Sequence, residues 1–311
     1  MTILAVALNP TIDISSEVQH VQPTHKMRTS LQERHAGGGG VNVARVIAKL
    51  GGRPELLILS GGATGALLEE ILADLPITLR TVHVGGSTRI AFMVYERDTG
   101  QEYRFVPEGA DITADEVEKA MAAVAKFRGD YIVASGSLPR GAPDDTYARM
   151  SDIAAANGVR FVLDTSGAPL RATLEKGQVF LVKPSLGELE TLAGRKLDEA
   201  GLRDEAMKLV REGRSQYVAV TLGREGAILA GPNGVLRVPA IHVPVKSAVG
   251  AGDSFVGALV WLLSNGGTME EAFRFGVAAG AAAAMTPGTE LCHRDDIFAI
   301  YEGRAAYDTE A

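Results

Sequence analysis

Cysteine occurs once in the 311 residues, at Cys292. One thiol forbids an intrachain disulfide and argues against a secreted, disulfide-stapled scaffold. With no cysteine cluster and no His-Glu-x-x-His segment, the usual zinc ligand sets are missing, and the six histidines are scattered. Long apolar runs are missing too. The longest, near 277–285, is alanine-rich, short and broken by glycine, well below the ~18–20 residues of a membrane span. The opening, MTILAVALNPTID, lacks a basic leader, and its apolar run is too short for a signal peptide, so a cytoplasmic location is expected. Positive charge is in deficit, 31 Lys and Arg against 38 Asp and Glu. The net charge of −7 disfavours nucleic acid, whose binding needs a basic face, but leaves room for a local basic pocket. No Gly-Lys-Ser/Thr end of a P-loop occurs.

What is present is a regular alternation. Apolar runs at 3–8, 56–60, 131–134, 161–164, 179–182 and 217–222 read as buried strands. Helical patterns fall between them, near 41–50, 65–72, 113–124, 144–157, 168–176 and 199–212. Thr113 with Glu116 marks a capping box at one start. Short strands at 227–230 and 235–238 look antiparallel, and three helices close the chain at 252–264, 269–285 and 295–305. This order predicts an α/β fold, a doubly wound, mostly parallel sheet with helices on both faces. Two polar stretches, 14–34 and 84–107, break the rhythm; the second holds two strands around Asp98-Thr99-Gly100. They predict a small β-sheet beside the main unit, a lid, and one that pairs with a second copy to cover its apolar face.

Several segments carry chemistry. Gly250-Ala251-Gly252-Asp253 precedes an apolar helix, whose free N–H groups attract anions. Asp253 is either a base for an attacking hydroxyl or simply a helix cap. Gly37–Gly40, followed by Val41-Asn42, is a second glycine cluster. Its nearest G-x-G-x-x-G frame puts Asn42 at the third glycine, and no clean strand is expected directly before it, so it is not a dinucleotide fingerprint. Its amides and the Asn42 side chain suit sugar hydroxyls; a tight turn is the simpler alternative. Asp13 follows the first strand, at the sheet edge where open α/β folds bind ligands. Lys26, Arg28, Arg89 and Arg104 are cations in the two rhythm-breaking segments, suited to a phosphorylated ligand or to plain solvation. Ser137 follows a strand, where a plain turn is the alternative; Lys183, Ser185 and Glu188 follow another, and Thr221, Gly223 and Gly226 end a third, each a weak signal alone. Trp261 and Phe255 read as core positions, and Cys292 as inert or partly buried.

Taken together, these segments resemble the ribokinase-like (PfkB) carbohydrate kinases from the first strand to the last helix. Gly38–Arg45 matches the N-terminal signature and Val249–Ser254 the C-terminal one. The resemblance implies one kinase domain over 1–311 with a discontinuous β-lid at 14–34 and 84–107. It implies Asp253 as catalytic base and Gly250, Ala251 and Gly252 as the anion hole. Asp13, Gly38, Gly39, Asn42 and Ser137 would hold the sugar, and Lys26, Arg89 and Arg104 its phosphate. Lys183, Ser185, Glu188, Thr221, Gly223 and Gly226 would serve ATP, with Glu188 reaching Mg2+ through water. Backbone carbonyls of Ser247, Val249, Ala283 and Gly288 would hold K+, and the lid would make a homodimer. The all-glycine run, where kinases of fructose 1-phosphate usually carry a lysine, leans toward fructose 6-phosphate as acceptor. Tagatose 6-phosphate and fructose 1-phosphate stand as alternatives, and a non-catalytic sensor as a third. Two departures stand out: Ser185 where the family commonly has asparagine, and Glu290 where a relative has a basic residue.

Overall fold

Every side chain of β1 (Ile3–Ala7) is buried, and the pleat sends them two ways. Ile3, Ala5 and Ala7 join one apolar core, Leu4 and Val6 another. β8 (Tyr131–Ser135) does the same, Tyr131 and Val133 facing one core and Ile132 and Ala134 the other. Strands apolar on both faces must be covered on both faces. The computed structural model describes residues 2–304 and meets that demand with a layered α/β architecture. The ends of the expected 1–311 unit, and residue 305 of the expected last helix, lie outside the described residues.

The main sheet has nine strands in the order β13-β12-β11-β10-β9-β8-β1-β4-β5. β4 (Glu55–Ser60), β5 (Thr78–His83), β9 (Arg160–Asp164), β10 (Val179–Val182) and β11 (Ser215–Thr221) run parallel with β1 and β8. β12 (Ala227–Gly231) and β13 (Gly234–Val238) add an antiparallel edge, as expected. One face packs against α1 (Gly39–Lys49), α2 (Gly62–Ala73), α8 (Ala251–Ser264) and α9 (Met269–Ala284), with α10 (Arg294–Tyr301) behind α9. The other takes α3 (Ala114–Ala125), α4 (Thr146–Ala156), α5 (Gly167–Lys176), α6 (Leu186–Ala193) and α7 (Glu199–Arg211). The chain runs from β1 outward to β4 and β5, then returns to β8 on the opposite side of β1. Such a reversal opens a crevice at the carboxyl ends of the strands.

The alanine run of 277–285 has a packing role. α9 lies so close on α8 that a Cβ at Gly276 would stand 2.9 Å from the Phe255 carbonyl oxygen. Small side chains permit that approach. Among the described residues no helix is long and apolar enough to cross a membrane.

A second sheet, β3-β2-β6-β7, is built from β2 (Thr11–Val18), β3 (Ser30–Gly37), β6 (Arg89–Glu96) and β7 (Gln101–Phe105). β2 and β3 are inserted between β1 and α1, and β6 and β7 between β5 and α3. The small sheet therefore rises from the carboxyl edge of the large one.

Three features differ from the sequence reading. β5 is an additional edge strand; only Val82 of its six residues is buried, so no continuous apolar run announced it. α6 is an additional helix, although Ser185 and Glu188 spell the capping box that starts it. The glycine cluster does follow a strand, β3, whose first five residues are exposed and whose polarity hid it.

Candidate active site

The N-terminal turn of α8 is the centre of the site. Gly250 caps it at φ 72°, a left-handed conformation that glycine adopts without strain. No side chain caps this end, whereas α3, α6 and α9 each begin with a full capping box. The first-turn N–H groups of α8 are therefore left for a ligand, where the helix dipole favours negative charge. Asp253 is the third residue of this helix and not its cap.

Two cavities meet at this turn. The smaller, about 170 Å³, is walled by Asp13, Gly38, Gly39, Asn42, Arg89, Arg104, Val249, Gly250 and Asp253. The larger, about 750 Å³, is walled by Thr221, Gly223, Gly226, Ala251, Gly252 and mostly apolar side chains such as Phe255 and Val277. Its volume lies within the range of cofactor sites. Residues 249, 250 and 253 thus face one cavity, and 251 and 252 the other.

Local sequence explains how the small cavity forms. A Cβ on Gly40 would collide with the Val6 carbonyl, and one on Gly37 with the Asp13 carboxylate. The glycine run thus lets α1 start directly against β1 and leaves room for Asp13. Asn42, on the first turn of α1, donates from Nδ2 to Asp253 Oδ2 at 2.8 Å. Burial pushes Asp253 up to about 6, and the nearby Asp164 carboxylate adds to this; Asn42 and Lys183 oppose it. Asp13 is also raised by burial, against the pull of Arg45, Arg104, its Thr11 hydrogen bond and Arg89. The Arg89 guanidinium donates to the carbonyls of Pro107 at 2.9 Å and Asn9 at 2.8 Å, pinning the chain where it first enters the small sheet and where it leaves it after β7. Its Nε is buried without a partner.

Lys183, just beyond β10, sits 3.0 Å from Asp164 at the end of β9. Ser135 Oγ donates to the other Asp164 oxygen at 3.2 Å. Burial works against the Lys183 charge, but Asp164, with Glu188 and Asp253, holds its ammonium above the ordinary lysine value. A Cβ placed on Gly252 would lie 3.6 Å from Lys183 Nζ, so this cation sits under the α8 turn. Asp164 escaped the sequence reading, although it ends a strand just as Lys183 does. Arg45 escaped it as well.

The other expected residues are placed as follows. Ser137 is exposed, and its Oγ accepts from Asn9 Nδ2 at 3.1 Å; it does not wall the small cavity. Lys26 is exposed and outside both cavities. Ser185 accepts from the Glu188 N–H at 3.3 Å, and Glu188 Oε2 accepts from the Ser185 N–H at 2.7 Å. Ser185 is thus the cap of α6, and Ser185→Ala is expected to lose about 1 kcal/mol of stability. Chemical denaturation measures this; an unchanged midpoint would reject the cap's contribution. Ser247 and Lys246 donate backbone N–H groups to Ala284, which brings the 247–249 and 283–288 segments together. Ala283 O already accepts from Thr286 N at 3.1 Å and Oγ1 at 2.8 Å. Cys292 is fully buried, which pushes its thiol up.

An uncapped helix start between two cavities, with a raised carboxylate on one side and a buried lysine on the other, defines a group-transfer enzyme. Residues 6–296 match the model of the pfkB family carbohydrate kinases, and the chain belongs to that family. It is 40% identical over 311 residues to the ATP-dependent 6-phosphofructokinase isozyme 2 of Mycobacterium tuberculosis, covering 99% of this chain and 91% of the relative. The crystal structure of phosphofructokinase-2 from Escherichia coli in complex with substrates and products matches at TM-score 0.93 and 37% identity. It covers 97% of this chain and 99% of that one. The same Escherichia coli enzyme in complex with potassium matches at TM-score 0.92 and 36% identity, covering 97% and 98%.

Proposed function

We propose that the chain is an ATP-dependent 6-phosphofructokinase, transferring the γ-phosphoryl of ATP to the 1-hydroxyl of fructose 6-phosphate. The observation that carries this reading is the α8 turn shared by the two cavities. An acceptor in the small cavity and a nucleotide in the large one would meet there. ATP supplies the phosphoryl group, and Mg2+ neutralises charge on its phosphates. Among the described residues no three His, Cys, Asp or Glu side chains converge. That suits a metal carried on phosphates and keeping most of its waters, with Glu188 and Asp164 as the nearby carboxylates.

The chain's own residues then divide the work. Asp13, Gly38, Gly39 and Asn42 hold the sugar. Arg89 and Arg104, which wall the small cavity, hold the 6-phosphate, with Lys26, on the loop between β2 and β3, as a third cation. Asp253 accepts the proton of the 1-hydroxyl as its oxygen bonds to phosphorus and the bond to the ADP oxygen breaks. The N–H groups of residues 250–252 stabilise charge on the moving phosphoryl oxygens, a preorganised electrostatic effect. Lys183 balances charge on the nucleotide side, and Thr221, Gly223 and Gly226 line the nucleotide cleft.

The small sheet acts as a lid and as the seam of a homodimer. Its strands carry three exposed large apolar side chains, Leu31, Phe92 and Phe105, at 65%, 47% and 61% exposure, and Met27 and Val106 flank them. Phe92 and Phe105 are cross-strand partners, so they form one patch. Such patches on monomers mark contacts. A K+ site at the carbonyls of Ser247, Val249 and Gly288 fits the junction of the two segments, Ala283 being the member whose oxygen is already engaged.

Initial rates with MgATP across fructose 6-phosphate, tagatose 6-phosphate and fructose 1-phosphate test the assignment. The expected result is the largest kcat/KM for fructose 6-phosphate, by at least about tenfold, the scale of a single lost polar contact. A larger value for either competitor would overturn it.

A further inference from the structure

Asn42 carries both a donor and an acceptor on one short side chain, and Asp253 has use for only the donor. The amide N–H meets Asp253 Oδ2 at 2.8 Å. Its other end, Oδ1, accepts from Arg45 Nη1 at 3.2 Å. Arg45 is one helical turn along α1 from Asn42, and only 8% exposed. The same guanidinium nitrogen donates to Ala36 O at 2.8 Å and Thr289 O at 3.3 Å. It therefore ties together the end of β3, the start of α1 and the loop after α9. A buried guanidinium is costly unless paired. Here burial pulls Arg45 down from its ordinary value, while Asp13 first and then Asp253 pull it back up.

We infer that Arg45 is a positioning residue for phosphoryl transfer: by holding the Asn42 amide oxygen, it fixes the amide N–H on the Asp253 carboxylate. This rests on the assignment of Asp253 as the base. Without Arg45, nothing holds the Asn42 amide oxygen, and the N–H is no longer fixed on the carboxylate. The hydrogen bond that favours ionised Asp253 would then be weaker. The charged groups around Asp253 are Asp164 after β9, Lys183 after β10 and Asp13 of β2. Those around Arg45 are Asp13, Asp253, Cys292 and Glu290, with His35 and Lys49 as its cationic or titrating neighbours. None of these replaces the contact to Asn42 Oδ1.

The pH dependence of kcat, at saturating MgATP and fructose 6-phosphate, separates positioning from scaffolding. Arg45→Met is expected to move the acid limb up by about one pH unit, the scale of one charge-assisted hydrogen bond. The KM for ATP should stay within about twofold, because the nucleotide cleft does not include Arg45. In an Asn42→Ala background the same change should move the limb by less than half as much. An unmoved limb, or an equal shift in both backgrounds, overturns the inference. If Arg45→Met yields no folded protein, Arg45→Lys keeps the charge but loses the fork. Its limb should still rise, and superposition on the wild-type profile overturns the role. Wild-type protein inactive on all three sugar phosphates would instead defeat the kinase assignment itself.

Discussion

Asp253→Asn is expected to lower kcat by about 10²–10⁴-fold, the usual worth of a general base, while ATP binding stays close to normal. Asparagine is isosteric and can still accept from Asn42 Nδ2, so the α8 turn keeps its shape. Only proton acceptance is lost. The wild-type kcat should itself fall as pH drops through about 6, where Asp253 takes up a proton. Isothermal calorimetry with ATP and steady-state rates measure the two halves. Wild-type turnover in the variant would remove Asp253 from its assigned role.

The same substitution should stabilise the fold, and the sign follows from the direction of the shift. The folded-state value of Asp253 lies above its unfolded value. The folded protein therefore holds this proton more tightly, and ionising the group costs stability as pH rises from about 4 to about 6. Above that the full cost is present. Partial solvent access and the loss of the attraction between Asp253 and Lys183 reduce the gain, which is expected to be about 1–2 kcal/mol at pH 8. It should shrink toward zero near pH 4, where the wild-type carboxyl is neutral. Thermal melts at the two pH values check this; a variant less stable than wild type at pH 8 would contradict it. Function here requires a carboxylate that the fold would be more stable without.

How much of this could be read in the sequence depended on which physical signal each part carries. The parallel sheet was legible because its strands are buried on both faces and leave continuous apolar runs, as in Ile3–Ala7 and Tyr131–Ser135. β5 was not, because an edge strand with only Val82 buried looks like a loop. α6 was obscured by its own chemistry. Ser185 and Glu188 invited a nucleotide reading, while the same pair closes a capping box. The α8 turn and glycine run were legible as anion and backbone-approach devices. Asp164 and Arg45 were not, since a lone strand-end Asp and a helical Arg are ordinary residues until their partners are known. Those partners are distant in sequence: Lys183 for Asp164, Ala36 and Thr289 for Arg45. Lys26 shows the converse. Its charge and placement suggested a phosphate ligand, but the side chain stands outside both cavities.

The largest expected loss of stability comes from the pair beneath the α8 turn. Lys183→Met should cost roughly 3–5 kcal/mol, the usual result of removing one partner from a buried ion pair. The two side chains are only 7% and 14% exposed, so water cannot replace the missing ammonium. Asp164 would keep Ser135 as a donor at 3.2 Å but lose its counter-charge, and Asp253 would lose an attraction as well. Because Asp164 holds Lys183 above its ordinary value, the pair's contribution should be constant from about pH 6 to 9. On the alkaline side it would be lost as pH rises through the folded-state value of the lysine. Lys183→Met with Asp164→Asn should recover more than half of the loss, since the orphaned charge is then gone and a neutral amide can bond to Ser135. Denaturant unfolding of wild type, both single variants and the double variant gives the coupling directly. Additive single costs would show that the two side chains do not stabilise each other. Activity should not return with stability: the double variant leaves no cation under residues 250–252, where phosphoryl charge must be balanced. A stable double variant with little turnover would therefore separate the pair's contribution to folding from its contribution to transfer.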